Sequence, residues 1–163
     1  MMGKWIFLAL LGLDALSKGL ATHFVAPLLP KIFGYPYGGI PLFECFGVTF
    51  SLNTIVNSGA AWGFFQGHST LLFCVRMLII AGLLVYLLFF EQKKTPSWPL
   101  WLVLTGAIGN GIDYLIYGHV IDFFHFCFWS HSFAIFNLAD SYITIGVLSL
   151  LLLPHFVKKY RPT

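Results

Sequence analysis

Four apolar runs, each close to the length a helix needs to cross a bilayer, constrain this chain more than any other feature. A span takes about 20 mostly apolar residues. The runs cover roughly Trp5 to Val25, Leu71 to Phe90, Trp98 to Tyr117 and Phe133 to Leu153, the last stopped by Pro154 and a basic tail. They predict a mainly α integral membrane protein with four transmembrane helices. Composition agrees, with 58% hydrophobic and only 9% charged residues, where a soluble domain carries about 25% charged. So little charge cannot cover a water-facing surface. At 163 residues the chain is read as one membrane domain, 1–163.

The first run has the outline of a cleaved secretory signal, because Lys4 precedes it and Ala15-Leu16-Ser17 loosely mimics a small-x-small site. Asp14 and Lys18 interrupt its apolar stretch, so a retained helix is expected. Basic residues set the orientation. Lys4, the pair Lys93 and Lys94, and Lys158, Lys159 and Arg161 flank one side of the predicted spans, while the segment after span one offers only Lys31, with Arg76 just inside span two. Both termini are therefore expected in the cytoplasm. The segment from Ala26 to Thr70 and the loop from Gly118 to Ser132 are expected outside. Within the first, Gly34-Tyr35-Pro36-Tyr37-Gly38-Gly39 is a turn cluster and Val48 to Val56 has strand composition. With Phe43, Phe46, Phe50, Trp62, Phe64 and Phe65, this predicts a small β-rich unit over about 34–68 lying on the membrane.

The net charge of +3 is spread over short flanks without a basic stripe, so no nucleic-acid partner is implied. Three scattered cysteines, Cys45, Cys74 and Cys127, imply no disulfide framework, and Cys74 reads as a small buried packing residue. His119, His125 and His131 are evenly spaced around Cys127, but the spacing fits no common zinc motif, and neither metal nor cofactor is expected.

The informative residues are polar ones where they are costly. A charge at the centre of a membrane helix costs about 2.5–3.5 kcal/mol, yet Asp14, Asp113, Asp122 and Asp140 all lie in or near spans. Asp14 and Lys18 share a helix face, fitting either an ion pair that lowers its own insertion cost or a group that orients a site. Gly106, Asn110 and Asp113 share a face of span three, and Gly106 with Gly109 allows close helix approach. Asn137 and Asp140 share a face of span four, where Asp140, seven residues past Phe133, is placed on the order of 10 Å deeper than the span's start. An acid in such a place is a candidate for function, and a structural ion pair with Arg76 or Lys18 is the plainer alternative.

Four blocks in order carry a family resemblance over almost the whole chain. They are Asp14-Ala15-Leu16-Ser17-Lys18, Asn57-Ser58-Gly59-Ala60-Ala61-Trp62-Gly63, the stretch from Gly106 to Asp113 followed by Gly118-His119-Val120-Ile121-Asp122-Phe123, and Phe136-Asn137-Leu138-Ala139-Asp140. The chain resembles the bacterial lipoprotein signal peptidase (signal peptidase II) family of intramembrane aspartyl proteases. The resemblance implies cleavage of prolipoprotein signal peptides just before a diacylglyceryl-modified cysteine. It implies a catalytic pair at Asp122 and Asp140, with Asp14, Lys18, Asn57, Gly59, Asn110, Asp113 and Asn137 supporting or lining the site. It also implies a monomer in the inner membrane, in contact with lipid. Two departures stand out: Tyr114 where the family usually has Arg, and Ala15 where Gln is usual. A small proton-coupled transporter is the rival from another class, but the inverted repeat it predicts is not found. A fold retained without activity is the other rival, which Tyr114 keeps open.

Overall fold

In the computed structural model the described residues are 2–26, 39–57, 69–90, 97–129 and 131–159. Gly59, Trp62, Phe64, Phe65, Gly34 to Gly38, Lys31, Lys93, Lys94 and Arg161 lie outside them. Helix α1 (Met2–Leu20) runs on into a π-helical turn, Ala21–Val25. Strands β1 (Ile40–Cys45) and β2 (Val48–Asn57) follow, then α2 (Ser69–Val85) with its own π turn, Tyr86–Phe90. The rest is α3 (Trp98–Tyr117), β3 (Val120–Phe128), β4 (His131–Ser132) and α4 (Leu138–Lys159).

Among the described residues three helical stretches, Trp5–Val25, Thr70–Phe90 and Trp98–Tyr117, are long and apolar enough to cross a membrane. α4 contributes a shorter apolar stretch, Leu138–Leu152. Outward faces carry large apolar side chains such as Leu16, Leu78, Phe89, Leu115 and Leu151, a surface suited to hydrocarbon rather than water. Cys74 belongs to this outward surface rather than to the interior. Between the helices, Ile80, Leu87, Leu104 and Ala107 form an apolar core, with Phe7, Leu83, Leu100, Trp101 and Ile108 against it.

The fourth helix departs from the hydropathy reading at both ends. It starts at Leu138, not at Phe133, and passes through Pro154 to Lys159. Phe133–Phe136 is apolar but extended: Phe124 N–H donates to Phe136 O at 2.8 Å, and Phe136 N–H to Phe124 O at 3.0 Å. Apolar content cannot separate such a segment from a helix. Proline breaks one helical hydrogen bond without ending a helix whose freed group is satisfied locally. Asp140 therefore sits in the first turn of α4, not deep in the span.

The second departure is β3. The stretch read as an outer loop is a strand in a four-stranded antiparallel sheet of order β1-β2-β3-β4. Gly118 makes the transition possible. It ends α3 at φ 76°, its N–H donating to Tyr114 O at 2.9 Å, a left-handed conformation that glycine adopts without steric penalty. β3 then pairs along β2, from Asn57 opposite Val120 to Val48 opposite Phe128. One face of the sheet buries Ser51, Asn53 and His125 completely. His125 lies between Ser51 (Nδ1 to Oγ 3.3 Å) and Ser132 (Nε2 to Oγ 2.8 Å), tying three strands together. The other face is a phenylalanine ladder in which Phe50 packs on Phe43, Phe124 and Phe126, and Phe136 on Phe124, Phe126 and Phe133.

Candidate active site

The hairpin after β3 explains why two acids far apart in sequence meet. The chain leaves Asp122 along β3, reverses near Trp129 (φ 53°), and returns with Phe136 bridged to Phe124. Two residues back from Phe124 is Asp122, and one residue past Phe136 is Asn137, which caps α4. Asn137 is fully buried and serves both acids. Its side-chain Nδ2 donates to Asp122 Oδ1 at 2.7 Å, and its backbone N–H donates to Asp140 Oδ2 at 3.2 Å. Its Oδ1 accepts from the Asp140 N–H at 2.9 Å. The last two bonds form a reciprocal capping box, an Asn-x-x-Asp version of a common helix start. The same local rule that begins the helix therefore fixes the Asp140 carboxylate.

Each acid has a second amide. Asn57, at the end of β2, donates from Nδ2 to Asp122 Oδ2 at 2.8 Å. Asn110 of α3 donates from Nδ2 to Asp140 Oδ1 at 2.8 Å and accepts from Asn137 at 3.1 Å. Behind Asn110 stands Lys18, only 2% exposed. Its Nζ lies 2.7 Å from Asp14, 2.8 Å from Asp113 and 3.0 Å from Asn110 Oδ1. Asp14 in turn accepts from the Ala139 N–H at 2.9 Å, and Asp113 from the Ile121 N–H at 3.3 Å. One ammonium thus joins α1 to α3, and its two carboxylates reach the residues just before Asp140 and Asp122. Of the two readings of Asp14 and Lys18, the ion pair is present, and the same side chains also hydrogen-bond Asn110 and the Ala139 N–H beside the acids.

A cavity of about 630 Å³ opens at this cluster. Its polar wall holds Asn57, Arg76, Asn110, Asp122 and Asp140, and its apolar wall holds Val120, Phe133, Ile135, Phe136, Ile143 and Ile145. Of the residues singled out from sequence, Asp122, Asp140, Asn57 and Asn110 line the cavity, Asn137 bridges the acids, and Asp14, Lys18 and Asp113 form the layer behind. Arg76, read from sequence as a charge just inside span two and a candidate ion-pair partner of Asp140, lines the cavity too. Burial and the nearby Asp140 charge push the Asp122 carboxyl up to about 7, against the amides of Asn57 and Asn137 and the Lys18 charge. A carboxyl pair of this kind can hold one proton near neutrality, with one member able to take a proton and the other to give one.

The family model for Signal peptidase (SPase) II matches residues 6–156. A lipoprotein signal peptidase of Chlamydia pneumoniae is 41% identical over 118 residues, 71% of this chain and 67% of that protein. One of Bacillus pumilus is 44% identical over 95 residues, 58% of this chain and 61% of that protein. One of Thermodesulfovibrio yellowstonii is 36% identical over 149 residues, 88% of this chain and 86% of that protein. A solved bacterial membrane enzyme superposes with a TM-score of 0.75 at 25% identity, over 99% of this chain and 93% of its own.

Proposed function

The chain belongs to the signal peptidase II family, and on that footing we propose that it removes signal peptides from prolipoproteins by an aspartyl dyad, Asp122 and Asp140. The substrate is a membrane-borne peptide whose cysteine carries diacylglycerol, and the cut falls just before that cysteine. One observation carries the reading: Asn137 hydrogen-bonds both acids at the wall of one cavity.

The chemistry follows from one shared proton. The ionised carboxylate takes a proton from a water, whose oxygen attacks the scissile carbonyl. The protonated carboxyl hydrogen-bonds the carbonyl oxygen as it gains charge, then supplies a proton to the leaving amine. The pair titrates as a unit. Asn57 and Asn110 hold the outer carboxylate oxygens so that the two groups face the same bond, an arrangement that lowers the orientational cost of attack. Ile143, Ile145 and Phe133 give the substrate's apolar part a wall that continues into the lipid-facing surface.

α4 is the fourth transmembrane helix in this reading. Its 22 residues span about 33 Å, enough for a hydrocarbon core of about 30 Å. The protein is a monomer in the inner membrane, with both termini cytoplasmic and the sheet outside. The test is cleavage of a lipidated prolipoprotein by the purified chain in lipid, beside Asp122→Asn and Asp140→Asn. Wild type is expected to cut, with or without a chelator, and both variants to lose at least about 10³-fold in kcat/KM. Full activity in either variant removes that residue from the dyad.

A further inference from the structure

Arg76 has no role in the chemistry above, yet it is a charged residue about two turns inside an apolar helix. Its face of α2 is otherwise the packing face. Phe73, one turn before it, stacks on Tyr114 of α3 with ring centroids 4.7 Å apart. Ile80, one turn after it, is buried in the apolar core. Arg76 and Asn110 each lie seven residues from the sheet end of their helices, Ser69 and Tyr117. Both are therefore about 10 Å along their helices, and both line the same cavity. The stacked Tyr114 and the buried Ile80 fix the rotation of α2 with Arg76 on the wall of the cavity.

Among the described residues Arg76 makes no ion pair and no hydrogen bond; the ion pairs there belong to Lys18. It is half-buried, and its charge acts on Asp140 across the cavity. A guanidinium offers five N–H donors and no acceptor. Left without acceptors in an apolar span, it carries a desolvation cost that a ligand oxygen would remove. The carboxylates of Asp122 and Asp140 line the same cavity and disfavour an anionic ligand such as a phosphate. A neutral carbonyl oxygen has no such conflict.

We propose that Arg76 binds substrate by donating hydrogen bonds to carbonyl oxygens at the lipid-bearing cysteine. The proposal rests on the peptidase reading above, in which that cysteine lies next to the cut bond. Its diacylglyceryl ester carbonyls begin a few bonds beyond the sulfur, on the membrane side, and the neighbouring peptide carbonyls are the other acceptors of the same chemistry. Arg76 thereby holds the cut bond beside the acids, and with the esters as acceptors it also measures whether the cysteine is lipidated.

The test uses the full chain in lipid and two synthetic substrates of one sequence, with S-diacylglyceryl or S-dialkylglyceryl cysteine, the second lacking ester carbonyls. Wild type, Arg76→Lys and Arg76→Gln are compared for KM and kcat. If the esters are the acceptors, wild type shows a KM at least tenfold lower for the diester, Arg76→Gln erases that preference, and Arg76→Lys keeps part of it. If peptide carbonyls are the acceptors, Arg76→Gln raises KM alike for both substrates. An unchanged KM in Arg76→Gln for both overturns the proposal and leaves the peptidase reading intact. So does a fall confined to kcat with a displaced pH profile, which would place the action of Arg76 on Asp140. A wild type that cuts neither substrate removes the peptidase reading, and the proposal with it. The wild-type comparison of diester with diether needs no variant to fold.

Discussion

Asn137 is the residue on which the site's geometry turns, because it hydrogen-bonds both acids. Asn137→Ala is expected to lower kcat/KM about a hundredfold through misplacement of the carboxylates, and to cost about 1 kcal/mol as a lost helix cap. A kinetic assay paired with a melting curve in detergent reads the two effects separately. pH dependence follows from Asp122, whose carboxyl is raised from 3.8 to about 7. The free enzyme's kcat/KM should therefore decline as pH rises through about 7, when the shared proton is lost. Stability moves the same way. The folded site holds this proton more tightly than the unfolded chain, so the Asp122 contribution is complete below 3.8 and is lost as pH rises through about 7. Asp122→Asn removes that loss, and its melting temperature should exceed wild type by more at about pH 8 than at about pH 5. A gap that is constant across pH would contradict the shifted carboxyl. His125 acts oppositely, since burial depresses its imidazole below 6.5 and its contribution is lost on the acid side.

At the scale of elements, the close crossing of α3 and α4 sets the distance between Asn110 and Asp140. A side-chain carbon on Gly106 would meet the Ala139 carbonyl and Ile143 of α4. Gly106→Val should cost about 1–3 kcal/mol from overpacking and remove most cleavage activity. Gly12, with open space around it, should accept Ala without loss, and thermal melting of both variants checks the pair. The helices were legible in sequence because apolar length is a strong signal, and the acids were legible because their insertion cost demands a reason. The β3 strand was not. Val120 to Phe128 alternates two apolar faces, but it lies between two apolar runs, and its histidine drew attention to metal spacing instead. The start of α4 was available locally in Asn137-Leu138-Ala139-Asp140, whose capping pattern outranks hydropathy in placing a helix terminus. The layer of Lys18, Asp14 and Asp113 was legible as polar residues on helix faces. Its convergence was not, because which faces of α1 and α3 meet is a tertiary choice that one-dimensional spacing leaves open.

For the whole molecule, the proposed orientation makes a prediction that needs no enzyme assay. Cys45 is exposed on β1 of the sheet, Cys127 is buried, and Cys74 faces outward from α2 within an apolar span. A membrane-impermeant maleimide added to intact spheroplasts should label Cys45 and spare the other two. Labelling of Cys45 only after permeabilisation would invert the topology. The sheet itself has a consequence for the protein's biogenesis. The ribosome delivers a chain from its N-terminus, so Asp122 and its strand emerge before Asn137, which caps α4, and Asp140, in the first turn of α4. A nascent or truncated chain that ends short of Asn137 has half of the proposed dyad and lacks the amide that hydrogen-bonds both acids. With the proposed dyad, proteolytic competence inside the membrane therefore waits for α4, and copies that stop before it are expected to be inert toward the proteins around them.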